Sequence, residues 1–301
     1  MPNMLRSAIA LTFCTAAYEL QAQPAADGWR LSAEAGALHQ WQSSIDEGGD
    51  LSVDAWSLRV AASRAWTPTL RAGVSAGLGQ RNYSFSGETG FGGSRPWSDV
   101  RDARLSASIN WQASERWNIF AIPSVRWTAE TGAALDDGLT GGLLAAAAYR
   151  VNDSLSIGPG FGVFSELEDD TSWFPILAVD WRITDRISLR TGRGFAATRG
   201  PGLTLAWDAS ERWSFSLGGR YDQERFRLDD DGIAPGGIGQ TTAVPLYLGV
   251  TRRFGGSGSL SFIAGAELGG RLRLEDDRGE LIEKSDYDTA PFAGATFDFR
   301  F

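Results

Sequence analysis

Residues Pro291 to Phe301 alternate strictly: Pro291, Ala293, Ala295, Phe297, Phe299 and Phe301 fall in one phase, Thr296, Asp298 and Arg300 in the other. Successive side chains of a β-strand point to opposite faces, so this segment reads as a strand with one face fit for lipid. The same period recurs upstream. Leu70, Ala72, Val74, Ala76 and Leu78 oppose Arg71, Gly73, Ser75, Gly77 and Arg81, while Ala103, Leu105, Ala107, Ile109 and Trp111 oppose Asp102, Arg104, Ser106, Ser108 and Asn110. The stretch from Trp173 departs from the pattern, with Phe174 and Ile176 in the polar phase.

Between the alternating runs lie two kinds of connection. Short polar turns flanked by aromatics occur at Ala113-Ser-Glu-Arg-Trp117 and again at Ala209-Ser-Glu-Arg-Trp213, with weaker copies at Trp66 to Leu70, Tyr149 to Leu155, Trp181 to Ile187 and Phe254 to Leu260. Longer connections rich in Gly, Asp and Pro occur near 43–50, 84–98, 130–138, 166–171, 197–200, 225–240 and 273–286. Together they imply about 14 strands, and an even count puts both chain ends on the short-turn side. The predicted strands span 29–41, 53–65, 69–81, 101–111, 116–127, 141–150, 154–164, 173–182, 186–196, 201–207, 212–222, 242–253, 259–271 and 289–301. Most reach the roughly 9 to 11 residues that a tilted strand needs to cross a bilayer. Trp66, Trp111, Trp117, Tyr149, Trp181, Trp207, Trp213 and Phe254 predict an aromatic girdle at the short-turn end, and Trp41, Trp56, Trp97, Trp127, Trp173 and Tyr221 a second one at the other. The expected fold is all-β: a transmembrane antiparallel up-and-down β-barrel with short periplasmic turns and longer extracellular loops.

The N-terminus adds an export reading. Arg6, the apolar run Ser7 to Ala17 and the small-residue site Leu20-Gln-Ala22 predict a signal peptide over 1–22, leaving one barrel domain at 23–301 with no plug domain before its first strand. The one cysteine, Cys14, falls in the removed segment, so disulfides and thiolate chemistry are not expected. The composition, 43% hydrophobic with mean hydropathy -0.19, hides the membrane character because every second strand residue faces the lumen. A formal charge of -9, with Lys284 as the only lysine, argues against nucleic acid as a partner. A secreted β-propeller binding module is the structural competitor, but its blades need four short strands where each unit here has two long ones.

The C-terminal half carries further strings, among them Ser156-Ile-Gly-Pro-Gly-Phe-Gly-Val163, Phe174 to Gly194, Arg225-Phe-Arg-Leu-Asp-Asp-Asp-Gly232 and Arg271-Leu-Arg-Leu-Glu-Asp-Asp277. Over roughly Pro123 to Phe301 the chain resembles a widespread group of uncharacterised, porin-like outer-membrane β-barrel proteins of Gram-negative bacteria. The terminal Phe301 and its alternating aromatics resemble the signal that the barrel-assembly machinery reads. The resemblance implies the barrel fold, the bacterial outer membrane as its place, and lipid and lipopolysaccharide as neighbours. It implies no catalytic residues, no substrate and no oligomeric state.

His39, the sole histidine, would have to serve any Ser-His-acid lipid-modifying hydrolase, yet Leu38, Gln40 and Trp41 give it no partner signature, and no catalytic residue is expected. Gly192-Arg-Gly194 and Arg199-Gly-Pro-Gly202 look like phosphate loops but join strand to strand, without the helix that gives such loops their anion affinity. The acidic strings, with Glu168, Asp169 and Asp170, Asp229, Asp230 and Asp231, and Glu275, Asp276 and Asp277, sit at outer strand ends, where a divalent cation shared with lipopolysaccharide would relieve their repulsion. No other cofactor is expected.

The predicted lumen phase holds Arg59, Arg71, Arg104, Arg126, Arg182, Arg190, Arg220 and Arg271, with Glu34, Asp102, Asp180, Asp222, Glu267 and Asp298. Most of its other positions are Gly, Ser or Ala, which leave the lumen open unless a loop folds in. The expected function is a passive, porin-like channel for small polar or charged solutes, lined by those arginines and carboxylates, with a mild preference for anions. A closed barrel devoted to structure or surface interaction is the alternative.

Overall fold

The computed structural model describes residues 28–46, 48–192 and 202–301; the expected signal peptide and most of the glycine-arginine connection after Thr191 lie outside them. The strand segments in chain order are β1 (Trp29–Ser44), β2 (Asp50–Thr67), β3 (Leu70–Ser86), β4 (Asp99–Gln112), β5 (Trp117–Glu130), β6 (Leu139–Arg150), β7 (Leu155–Glu166) and β8 (Asp169–Arg182). They continue as β9 (Ile187–Thr191), β10 (Gly202–Asp208), β11 (Trp213–Arg220), β12 (Asp222–Arg227), β13 (Ile238–Phe254), β14 (Gly258–Glu275), β15 (Leu281–Tyr287) and β16 (Ala290–Arg300). Each stave pairs antiparallel with its neighbours, and β1 closes the sheet on β16, from Ser32 opposite Arg300 to Gln40 opposite Phe292. Segments β11 and β12 lie along one edge of β13, and β15 and β16 along one edge of β14, so the sixteen segments make fourteen staves. Among the described residues no helix is long and apolar enough to cross a membrane; this wall crosses by strands.

Three connections differ from the sequence reading. The expected loop at 166–171 is a tight turn at Leu167 and Glu168, Glu168 taking the left-handed conformation at φ 49°, and β8 begins at Asp169. The expected loops at 225–240 and 273–286 contain the second half of β12, nearly all of β15 and the ends of β13 and β14. Staves are correspondingly longer than a bilayer requires: β3 runs 17 residues and β14 runs 18, against roughly 9 to 11 for a crossing.

The surplus length projects beyond an apolar belt, and there the polarity of the wall inverts. In β3 the outward face reads Val74 and Leu78 in the belt, then Asn82 and Ser84 above it; the inward face reads Ser75 and Arg81, then Tyr83 and Phe85, both buried. In β2 outward Leu58 and Val60 give way to Asp54 and Ser52, while inward Arg59 gives way to Val53 and Leu51. Below the swap the outside is solvated by lipid and the inside by water. Above it the wall is built like a soluble protein, polar outside around an apolar centre.

That centre is a core inside the barrel mouth, made of Ile45, Leu51, Val53, Tyr83, Phe85, Phe91, Trp97, Val100, Phe226, Leu228, Ala234, Leu272, Leu274, Tyr287 and Ala290. The connection between β3 and β4, with its single-turn helix α1 (Gly90–Ser94), folds inward and delivers Phe91 and Trp97. Trp97 is therefore no girdle residue: at 2% exposure it sits edge-on to Tyr83, Phe85, Phe91 and Phe226, with ring centroids 5.3 to 6.1 Å away. Glu130 ties the plug together, accepting from the backbone N–H of Ser98 at 2.8 Å and of Asp229 at 3.3 Å. Glycine makes the fit possible: a Cβ on Gly92 would stand 2.5 Å from the Ser86 carbonyl oxygen and 2.7 Å from Gly49 Cα. Of the other expected girdle aromatics, Trp41, Trp56, Trp173 and Tyr221 at the outer end and Trp66, Trp111, Trp117, Trp181, Trp207, Trp213 and Phe254 at the short-turn end are exposed, while Trp127 and Tyr149 are half-buried.

Candidate functional site: the lumen beneath the plug

Below the plug the lumen is a cavity of about 910 Å³ that reaches the short-turn rim at Arg30, Gly256 and Arg300. Of the fourteen charged residues expected in the lumen phase, twelve line the cavity: Glu34, Arg59, Arg71, Asp102, Arg104, Arg126, Asp180, Arg190, Arg220, Asp222, Glu267 and Asp298. Arg182 instead lies at the short-turn rim, where its guanidinium donates to the Asp153 carbonyl at 3.1 Å.

Arg271 is a correction. It is exposed on the outer face and donates to Asp286 at 2.7 Å, while its neighbours Leu272 and Leu274 point into the plug. The cause is a bulge: Gly269 takes φ 59°, and the register between β13 and β14 steps from Thr242 opposite Arg271 to Val244 opposite Leu268. One extra residue in a strand moves every later side chain to the other face. The Arg271 hydrogen bond holds the Asp286 carboxyl below its ordinary range, in a segment that projects above the belt.

The lumen charges are grouped in ion pairs. Arg190 donates to Asp180 at 2.8 Å, Arg220 to Asp222 at 2.7 Å, and Arg59 stands 3.9 Å from Glu34. Directly beneath the plug, Arg81 of β3 and Arg126 of β5 both bind the Glu224 carboxylate, and the Tyr287 hydroxyl donates to Glu267 at 2.9 Å. The sequence reading ended the strand at Asp222, two residues short of Glu224, and missed it. The signal was its alternation with Asp222 and Phe226, which continues the lumen phase of β11 without a turn residue.

Segment β12 does more than continue a stave. Glu224, Arg225 and Phe226 are all buried in succession, which a wall strand with one solvated face does not show. Its inward face meets Arg81, Arg126 and the plug; on the other face Arg225 donates to Glu275 and to the Leu167 carbonyl, at 2.7 and 2.8 Å. At its end Arg227 pairs with Ala129 of β5, so β12 crosses the mouth as a strap.

The glycines of the lumen phase do not all leave open space. Phe164 lies over Gly142, Phe174 over Gly162, Tyr247 over Gly218 and Tyr287 over Gly270. Phe174 and Ile176, out of pattern in the sequence, thus face the lumen as ring and methyl surface: Phe174 stacks on Phe164 at 5.9 Å, and Ile176 is buried.

The acidic strings do not converge. Among the described residues no three His, Cys, Asp or Glu side chains gather as a metal site. The side chains of Asp169 and Asp170 lie outside the description. Asp229 accepts from the N–H of Asp231 at 3.1 Å, and Asp276 from the N–H groups of Arg278 and Glu280 at 2.9 and 2.8 Å. These are turn-forming bonds of short acidic side chains. Glu168 pairs with Arg227 at 2.6 Å, while Asp230, Asp231 and Asp277 hold turn or rim positions. His39 bonds Asp54 at 2.7 Å beside the edge of the Trp41 ring, on the outer face above the belt.

No protein-family model and no curated protein sequence matches the chain. Among solved structures it is similar to an outer-membrane channel from Pseudomonas putida F1, at TM-score 0.53 and 10% identity, covering 95% of this chain and 100% of that one. Lower similarity is found to the toluene transporter TodX of Pseudomonas putida (TM-score 0.45, 11% identity, 92% and 91% covered) and to the KdgM porin (0.37, 8%, 89% and 99%). With its closed antiparallel wall, apolar belt and aromatic girdles, the chain is a fourteen-stave β-barrel of the outer-membrane type.

Proposed function

We propose that the protein is a passive channel of the bacterial outer membrane for small polar or charged solutes, held shut at its extracellular mouth in the conformation described. The observation that carries this reading is the large lumen cavity lined by arginines and carboxylates beneath the apolar plug. A barrel meant only as scaffold has no need of so much hydrated interior, and eight staves suffice to let side chains fill the middle. Fixed charges of both signs across a lumen set up a transverse field of the kind that sorts permeating solutes. The short turns face the periplasm, the plug faces outward, and the C-terminal strand is the segment offered to the assembly machinery.

Planar-bilayer recording tests the reading. Wild-type protein should give rare, brief openings, and Phe91→Ala with Trp97→Ala should give long-lived conductance steps in a correctly folded barrel. Silence from both across the voltage range would overturn the channel and leave a closed barrel devoted to surface interaction, the reading that the plug itself favours.

A further inference from the structure

The lumen beneath the plug is not uniformly polar. On β2, β3 and β4 it carries Arg59, whose guanidinium donates to Ser75 at 3.1 Å, and Ser75 in turn bonds Ser106 at 3.0 Å; Arg104 follows two residues along β4. On one side of this polar stripe, β5, β6 and β8 present Phe120, Ala148 and Ala178, packed with Ala146. On the other, Leu38 of β1 and Phe292 of β16 line the chamber as a second apolar panel, packed with Tyr247 of β13 and Ile263 of β14. A water-filled pore for ions gains nothing from two panels of hydrocarbon, which raise the free energy of the water against them.

From this juxtaposition we infer that the chamber binds small amphipathic organic anions: an apolar body against a panel, and a carboxylate or sulfonate on Arg59 and Arg104. The chamber's volume suits it, since ligand sites of roughly 300 to 1,000 Å³ enclose molecules of drug size. The polar stripe suits the head. A guanidinium has five N–H donors in a planar fork, so Arg59 can keep its bond to Ser75 and still present donors to an oxyanion. The inference rests on the transport reading, of which it names the solute class.

The test is equilibrium binding to the full barrel in lipid nanodiscs, with empty nanodiscs as reference, because the probes also partition into lipid. The probes are naphthalene-2-carboxylate, the uncharged 2-naphthylmethanol and the cationic 2-naphthylmethylammonium. The carboxylate should bind at least about tenfold more tightly than either analogue, the change expected when a charged hydrogen bond is lost. Arg59→Ser with Arg104→Ser should abolish that preference, Arg59→Lys with Arg104→Lys should keep part of it, and Ala148→Phe should weaken the carboxylate and the alcohol alike. Equal affinity for the three heads, binding no greater than to empty discs, or an unchanged preference in the serine variant would each overturn the inference. If the serine variant does not fold, the comparison of heads on the wild type decides. A barrel that binds the carboxylate yet never conducts would sink the channel and keep the chamber; one that conducts and is indifferent to the head would do the reverse.

Discussion

The two halves of this barrel obey the same period and opposite chemistry. In the half next to the short turns, apolar side chains face out and polar ones face in; in the half that projects above the belt the assignment is exchanged on the same strands. Along β3 the change falls between Leu78, exposed to lipid, and Tyr83, buried in the plug. The period belongs to the backbone, whereas the sign belongs to the two solvents it separates. Where lipid lies outside and water inside, one phase must be apolar. Where water lies outside and the inside is dry, the other must be.

The plug is the place to break that contrast hardest. Phe91→Ala with Trp97→Ala removes two buried rings, each costing about 3 to 5 kcal/mol where the site cannot collapse. In detergent the variant should lose its upper half first: thermal unfolding should become biphasic, with protease cleavage between β3 and β4 and the lower barrel intact. A single transition at the wild-type temperature would mean that the plug is not a separate core.

Glu224→Gln comes next. It leaves Arg81 and Arg126 beside the lumen without their carboxylate, and removing one partner of a buried ion pair costs about 3 to 5 kcal/mol. Part of that cost will be recovered as water enters, and the freed arginines should move the reversal potential in a salt gradient toward anions. An unchanged reversal potential would place the conducting path away from the strap.

A finer probe puts one charge at two heights on one face. Leu78→Arg stands in the belt and should destabilise the barrel by about 2 to 4 kcal/mol, the cost of arginine near the bilayer midplane. Asn82→Arg, four residues on, stands above the belt and should stay within about 0.5 kcal/mol, as surface changes do. Equal effects in reversible unfolding into lipid would erase the proposed boundary. Least of all should change on chelation: with the acidic strings serving as turns, the unfolding temperature should be the same with and without chelator at low ionic strength, where any ion bridge would be strongest. A drop on chelation would restore the divalent cation at the outer rim.

The stave count, the side of each short turn and the outward phase of the belt were all legible, because each follows from local rules of alternation and turn chemistry. The plug was not. Its members Tyr83 and Phe85 alternate perfectly well, but in the phase that lower β3 reserves for water, while Leu272 and Leu274 fall in the lipid phase of lower β14 and turn inward only past the bulge at Gly269. Arg271 failed for a related reason, since one glycine bulge changes the parity of all that follows. The strap failed because its lumen phase of Asp222, Glu224 and Phe226 does carry on from β11, but burial of Arg225 on the opposite face as well has no counterpart in the alternation of a wall strand.

The dryness of the plug matters beyond holding the mouth shut. A gap opened by a passing fluctuation among Phe91, Trp97 and Phe226 is lined by hydrocarbon, and a narrow hydrocarbon gap tends to stay empty of water rather than fill. An ion entering such a vapour-like septum would shed its hydration at a cost of tens of kcal/mol in an interior of low dielectric constant. On the channel reading, small breathing motions would therefore leak nothing until a displacement large enough to wet the whole septum occurs.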